Sequence, residues 1–281
     1  MSIRRIKSYA KINLALNITG KLKKLHKIES IVSFVNFYDL IFIKKIKSLN
    51  HQISFCGKFS KNIKKKNTVS MLLDLLDKNE LLNNNKFQIK ITKEIPQKAG
   101  LGGGSMNSAN ILNFFIKRKF IKVSQNQIKD ISNKIGSDVI LGIKPTSTIL
   151  TSNGDKKKFL NCPKFHILLV KPDFGCSTKD IYSKVKTFTR SKYNKPKKFM
   201  FGCKYLSTQE NALEKIAFLK YPKLKEIKNF LLISNNPAFV RMTGSGSVIV
   251  AYYLKKRDCE LAKVQFKRKF KNYWCNSSKT I

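Results

Sequence analysis

Residues Pro96-Gln97-Lys98-Ala99-Gly100-Leu101-Gly102-Gly103-Gly104-Ser105-Met106-Asn107 constrain the fold more than any other stretch of this chain. Four of the 13 glycines fall within five of these residues. Glycine tolerates positive φ and lets another group approach the backbone closely. Upstream, Lys86-Phe87-Gln88-Ile89-Lys90-Ile91 alternates polar and apolar like a strand; downstream, Ser108–Ile116 is apolar enough for a buried helix. A strand, a glycine loop and a helix N-terminus together make an anion site, because backbone N–H groups converge there and the helix dipole adds partial positive charge. Phosphate is the natural ligand. The run is not a Walker A loop, since no Lys follows its last glycine. Nor is it the dinucleotide fingerprint, since the third residue after Gly102 is Ser105. A flexible glycine linker would be polar on both sides, and these flanks are not.

A chain of 281 residues allows one large domain or two ordinary ones, and 42% hydrophobic residues can bury a sizeable core. No apolar run approaches the roughly 18–20 residues of a membrane helix. The start, Met1-Ser2-Ile3-Arg4-Arg5-Ile6-Lys7, is basic like a signal peptide, but Lys11, Asn13 and Asn17 interrupt the apolar stretch that must follow. The chain therefore reads as cytoplasmic, with no membrane partner. Six cysteines without a C-x-x-C pair argue against a disulfide framework and a zinc site. The net charge of +41, from 57 basic and 16 acidic residues, has two readings. One is a nucleic acid or other polyanion. The other is a composition bias toward Lys, Asn, Ile and Phe, all with A/T-rich codons. The even spread of lysine, and the lack of segments interleaving Arg with aromatics, favour the bias, so no specific nucleic acid is expected.

Residues 9–18 alternate, with Ala10, Ile12, Leu14, Leu16 and Ile18 on one face and Lys11 and Asn13 together on the other, non-core face. Strand-like segments recur at 28–35, 40–46, 146–151, 166–171 and 248–254. Helical spacing appears over 69–82, 209–220, 223–234 and 257–270. Ser124-Gln125-Asn126-Gln127 reads as a capping box ahead of Ile128, Ile131 and Ile135, with Gly136 as the C-terminal cap. A turn at Asn153-Gly154-Asp155 suggests a boundary, giving domains 1–155 and 156–281. Residues 183–200, rich in Lys and Ser, read as a mobile loop.

Asp138 is the only carboxylate between Asp130 and Asp155, among apolar neighbours. It is either a helix N-cap or a general base held ionised by a cation. Lys11 is a candidate for that cation or a surface lysine. His26, on spacing alone, is a solvated turn histidine.

Taken in order, these pieces resemble the GHMP kinases, which include galactokinase, homoserine kinase and mevalonate kinase. Three stretches across nearly the whole chain carry the resemblance: Ala10-Lys11-Ile12-Asn13-Leu14, Pro96 through Asn107, and Met242-Thr243-Gly244-Ser245-Gly246-Ser247. The G-L-G-G-G-S loop, His26 after Thr19-Gly20, Gly136-Ser137-Asp138-Val139 and Glu210-Asn211-Ala212-Leu213-Glu214 point to one branch. That branch acts on 4-diphosphocytidyl-2-C-methyl-D-erythritol in the non-mevalonate isoprenoid pathway. The resemblance implies an α+β, two-domain GHMP kinase fold, an N-terminal ATP-binding domain, and an active site in the interdomain cleft. It implies ATP phosphates on Pro96–Met106 with magnesium, Ser105 meeting the magnesium or phosphate, and Asn67 and Lys93 lining the adenine pocket. Asp138 would take a proton from the substrate's 2-hydroxyl, with Lys11 holding that carboxylate and hydroxyl and Asn13 lining the site. His26 would read cytosine and Tyr182 stack on it, with Thr178 and Asp173 nearby. The sequence departs from the family at Leu25, where a base-stacking Tyr is usual, and at bulky Met106, where a small residue is more common. A homoserine- or mevalonate-type kinase and a basic nucleic-acid-binding protein are the alternatives. A monomer or homodimer is compatible with the sequence.

Overall fold

Two long strands occupy residues 4–21 and 26–46. The structure, a computed structural model, describes residues 3–22 and 25–281, so the readings of Met1 and Ser2 lie outside the described residues. Strand β1 (Arg4–Lys21) extends the expected strand at both ends. Strand β2 (His26–Ile46) merges the segments expected at 28–35 and 40–46, because no Gly or Pro lies between them to break the extended backbone. Residues 10–18 of β1 are buried on both faces. The face carrying Lys11 and Asn13 is therefore not a surface: the two are 4% and 5% exposed.

The chain divides into two compact units. One comprises the start of the chain to Ala10, Phe37–Gln97 and Gly102–Pro145; the other comprises Lys11–Asn36, Lys98–Leu101 and Thr146–Ile281. β1 and β2 each run through both units. The expected boundary at 155/156 is a single cut, and no single cut separates units that share two strands.

In the first unit, residues 40–46 of β2 pair antiparallel with β4 (Lys86–Thr92), which pairs in parallel with β3 (Gln52–Cys56). Four helices pack here: α1 (Thr68–Lys78), α2 (Gly103–Lys117), α3 (Gln125–Ile135) and α4 (Val139–Ile143). α1 buries Val69, Leu72, Leu73 and Leu76, a 3.6-residue stripe. Against it lie Ile89 and Ile91 of β4 and Ile111, Leu112 and Phe115 of α2. Each such side chain contributes about 1.5–3 kcal/mol on burial. Phe87 packs on Phe115 at 4.6 Å and Phe120 at 5.0 Å. The capping box at Ser124 forms as expected, but Gly136 ends α3 in an extended rather than left-handed conformation.

In the second unit, β5 (Thr148–Leu150) pairs with Ser30–Val32 of β2 and with β6 (Lys156–Lys158), a strand where only a turn and a lysine run were expected. A separate antiparallel sheet has the order β10 (Trp274–Lys279), β7 (His166–Lys171), β9 (Ile249–Tyr253), β8 (Phe239–Met242). Helices α5 (Thr178–Ser183), α6 (Cys203–Ser207), α7 (Glu214–Lys220), α8 (Pro222–Leu232) and α9 (Lys256–Lys269) complete it. Leu168, Val170, Ile249 and Ala251 of the sheet meet Ile227, Leu231, Ala262 and Phe266 of α8 and α9 in the core.

The segment expected to be a mobile loop is tied down instead. The buried Glu29 carboxylate accepts hydrogen bonds from Ser191 Oγ (2.8 Å) and from the amides of Lys192 (2.8 Å) and Tyr193 (3.0 Å), besides Asn17 Nδ2 (2.9 Å). All six thiols are unbridged. Among the described residues, no helix is long and apolar enough to cross a membrane.

Candidate active site

The glycine run is shared between the units. Lys98–Leu101 belongs to the second unit, and Gly102 onward to the first. Gly102 takes the left-handed conformation (φ 67°) that turns the chain into α2, so Gly103 and Gly104 form the first helical turn and the helix starts five residues before the expected Ser108. A Cβ on Gly103 would stand 3.0 Å from Ile95 Cγ2, and one on Gly104 would stand 3.1 Å from Thr68 Oγ1. The bare backbone amides at the positive end of a 15-residue helix suit an anion. Gln97 donates to the carbonyls of Phe59 (2.9 Å) and Lys61 (2.8 Å), which fixes the approach to the loop.

Beneath this turn lies a buried ion pair that gave no signal in the sequence. The wholly buried Asp39 carboxylate pairs with Lys93 and accepts from the amides of Glu94 and Ile95, both at 2.8 Å, and from Asn107 Nδ2 at 3.0 Å. Lys93, expected to line an adenine pocket, is thus 4% exposed and committed to Asp39. Its ammonium also stands 3.3 Å from where a Cβ on Gly103 would be. Asn67, the other expected adenine residue, is the N-cap of α1. Its Oδ1 accepts from the amides of Val69 (2.9 Å) and Ser70 (3.2 Å), and its Nδ2 donates to the carbonyls of Lys64 and Lys65, both at 3.1 Å. That fills both donors and both lone pairs of the amide. Asn67→Ala is expected to cost about 1 kcal/mol of stability through the lost cap, read as a lowered urea midpoint.

Asp138 directly precedes α4 and is half-buried. It stands at the N-cap position, yet its side chain makes no capping hydrogen bond. Structural capping therefore does not account for it. Ser105 lies in the same neighbourhood: its Oγ is 3.6 Å from where a Cβ on Gly136 would stand, two residues before Asp138. Met106, expected against the phosphates, turns inward and is wholly buried. A Cβ on Gly142 would stand 2.9 Å from its Sδ, so Gly142 of α4 leaves the room that the bulky side chain fills. Its amide donates to Gly102 O at 2.9 Å.

In the second unit the first and third motifs are joined. Lys11 Nζ donates to Asn13 Oδ1 at 2.8 Å, Asn13 Nδ2 donates to Ser30 Oγ at 2.8 Å, and Ser30 Oγ donates to Ala15 O at 2.6 Å. The Asn13 amide donates to Thr243 Oγ1 (2.9 Å), which donates to Gly100 O (3.2 Å). At Gly100 (φ 75°) a Cβ would overlap the Thr243 carbonyl oxygen. Burial on both faces of β1 removes the surface reading of Lys11.

The third loop is held from behind by residues the sequence offered without a role. Asn211 Nδ2 donates to Met242 O and Gly244 O, both at 2.8 Å, and Glu214 Oε1 accepts from the Met242 amide at 2.6 Å. The buried Arg241 guanidinium donates to the carbonyls of Leu14, Leu206 and Gln209. The stretch Glu210–Glu214 was the available signal for the first two.

His26 and Tyr182 are brought together, with ring centroids 5.2 Å apart and 42° between their planes. The solvated-turn reading of His26 does not hold: it opens β2 and is partly buried. Thr178, at the start of α5, shares a 2.8 Å hydrogen bond with Ser245 of the third loop. Asp173 lies in the turn after β7, and Leu25 is 68% exposed. Among the described residues, no group of three His, Cys, Asp or Glu could hold a metal ion. The first unit thus offers an anion cradle with a carboxylate and a hydroxyl. The second offers a buried ammonium–amide pair and an aromatic–imidazole pair.

Comparison with known proteins identifies the family. Residues 66–145 match the GHMP kinases N terminal domain. The 4-diphosphocytidyl-2-C-methyl-D-erythritol kinase of Pelagibacter ubique (strain HTCC1062) is 60% identical over 277 residues, covering 99% of each chain. The enzyme of the same name from Clostridioides difficile (strain 630) is 30% identical, covering 99% of this chain and 96% of its own. A crystal structure of 4-(cytidine 5'-diphospho)-2C-methyl-D-erythritol kinase superimposes with a TM-score of 0.81 at 20% identity, over 99% of both chains. A homoserine kinase from Cytophaga hutchinsonii superimposes at 0.72 and 15% identity, over 100% of this chain and 95% of its own. These two structures show the shared fold.

Proposed function

The chain belongs to the GHMP kinase family, in the branch of the 4-diphosphocytidyl-2-C-methyl-D-erythritol kinases, and from that premise we propose that it transfers the γ-phosphoryl group of ATP to the 2-hydroxyl of 4-diphosphocytidyl-2-C-methyl-D-erythritol. The observation that carries the choice of substrate within the family is the paired rings of His26 and Tyr182. A nucleobase needs a hydrogen-bonding edge reader and a stacking face, and homoserine or mevalonate carries no base to read.

ATP fits the first unit because the opening turn of α2 presents backbone amides with no Cβ over them. Magnesium fits the donor set as an ion held mainly by phosphate oxygens, with the Ser105 hydroxyl as its protein contact, since such ions keep few protein ligands. When bound, these groups supply the phosphoryl group and neutralise charge on its oxygens. The chain's own residues do the rest. Asp138 accepts the proton of the substrate hydroxyl. The Lys11 ammonium orients the hydroxyl, and Asn13 fixes Lys11 through their 2.8 Å hydrogen bond. Most of the acceleration comes from positioning and charge stabilisation.

The test is ATP consumption by the purified chain against 4-diphosphocytidyl-2-C-methyl-D-erythritol, homoserine and mevalonate. Turnover of the first alone is expected. Preferential turnover of either other alcohol would replace this reading with another kinase of the same family.

A further inference from the structure

We propose that Lys171 is a positioning residue for the phosphoryl transfer: its ammonium holds the Phe174 carbonyl that seats Ser247 of the third loop, a role that rests on the functional reading above. Lys171 ends β7 and is 8% exposed. Burial pushes its pKa below the ordinary lysine value, which the nearby Asp173 and Cys176 only partly offset. A cation is costly in such a place, and an apolar side chain would not be. Its Nζ donates to Pro172 O at 2.9 Å and to Phe174 O at 2.6 Å, closing the turn that leaves β7. A charged donor of this kind holds a carbonyl more firmly than a neutral one does.

The Phe174 carbonyl is shared. It also accepts from Ser247 Oγ at 3.0 Å. The Ser247 amide donates to Lys98 O at 3.3 Å, and the Cys176 amide donates to the same oxygen at the same distance. The turn, the third loop and the start of the glycine run therefore close one ring of hydrogen bonds, with the Lys171 ammonium as its charged donor. A Cβ on Gly175 would stand 2.6 Å from Lys98 Cβ, and one on Gly246 would stand 3.3 Å from Cys176 Sγ. Packing that close carries a shift of the turn into both loops. Beyond the ring, the Val248 amide donates to Ala99 O and Thr243 Oγ1 donates to Gly100 O, both at 3.2 Å. Thr243 Oγ1 accepts the Asn13 amide, and Asn13 Oδ1 holds Lys11 Nζ. Every link lies within the second unit. Printed contacts thus run unbroken from the Lys171 ammonium to the ammonium that orients the acceptor hydroxyl.

The test is steady-state kinetics and thermal melting of Lys171→Met, Lys171→Arg, Ser247→Ala and the double variant of Lys171→Met with Ser247→Ala. Ile227→Val, in the core of the second unit, is the stability control. Lys171→Met should lower kcat by roughly 10-fold, short of the ~100-fold that a misplacement of about 1 Å can cost. KM for both substrates should change less than kcat, because what is lost is orientation in the transition state. Lys171→Arg keeps the charge and should recover most of kcat. Lys171→Met and Ser247→Ala act on one carbonyl, so the double variant should lose less than the product of the two single losses. Ile227→Val should lower Tm and leave kcat unchanged. A folded Lys171→Met with unchanged kcat, strictly multiplicative losses, or an equal loss of kcat in Ile227→Val would overturn the role of Lys171. If Lys171→Met does not fold, unchanged kcat in Ser247→Ala overturns it instead. The kinetics use whichever alcohol the unmodified chain phosphorylates. Turnover of homoserine or mevalonate alone would therefore end the functional reading and leave the Lys171 outcome readable.

Discussion

Asp138→Asn lowers kcat by about 100-fold or more, the scale of a lost general base, and leaves Tm close to that of the unmodified chain. The amide keeps the size and shape of the carboxylate but cannot accept the hydroxyl proton. Asp138 makes no capping hydrogen bond to α4, so the substitution removes no helix cap. KM for both substrates should move far less than kcat, because the interaction lost belongs to the transition state. The measurement is steady-state kinetics with saturating ATP, alongside thermal melting. Near-normal kcat in a folded variant would remove Asp138 from the chemistry.

Asp39→Ala has the largest expected effect on folding, a loss of about 3–5 kcal/mol. Three donors, the amides of Glu94 and Ile95 and the Asn107 side chain, lose their acceptor at once. The Lys93 ammonium is left buried without its counter-charge. The double variant Asp39→Leu with Lys93→Met removes both charges and should recover the part of the loss due to the uncompensated ammonium, while the amides of Glu94 and Ile95 and the Asn107 side chain stay without their acceptor. Urea unfolding of the three proteins reads this directly. A single-variant loss under about 1 kcal/mol, the level of an exposed pair, would contradict the buried geometry. Because Glu94 and Ile95 run straight into Pro96 and the glycine loop, the single variant should also raise KM for ATP.

What the sequence made legible was local. The glycine loop announced a turn into a helix because positive φ at Gly102 is a property of that residue alone. The β7 strand was readable at its true limits, His166–Lys171, from its apolar run. The helix α3 was marked by its own capping box. What stayed hidden was tertiary. Asp39 and Glu29 are single acidic residues in a basic chain, and nothing beside them signals that several donors converge on each. β6 is three exposed lysines, a strand only because Thr148–Leu150 pairs with it. β10 is mostly polar and half-buried, and its pairing partner lies a hundred residues away in β7. For the site, motif residues such as Lys11 and Asn13 were found. The network of Asn211, Glu214 and Arg241 that shapes the third loop was not, because its bonds run to backbone carbonyls and amides far along the chain.

The knitting of residues 278–281 onto residues 34–36 bears on how the chain is made. Ser278 Oγ donates to Asn36 O across 242 residues, Thr280 bridges to Val35, and the Ile281 amide donates to Phe34 O at 3.0 Å. Everything in the first unit has been synthesised once residue 145 is reached, whereas the second waits for these late residues. At ribosomal speed, about 5–20 residues per second, that separation amounts to roughly 7–27 s. Throughout it, the apolar Ile12–Ile18 stretch of β1 has left the ribosome without its final partners. The chain's exposure to aggregation is therefore set during translation, and slowing elongation late in the message should lower the soluble yield more than slowing it early.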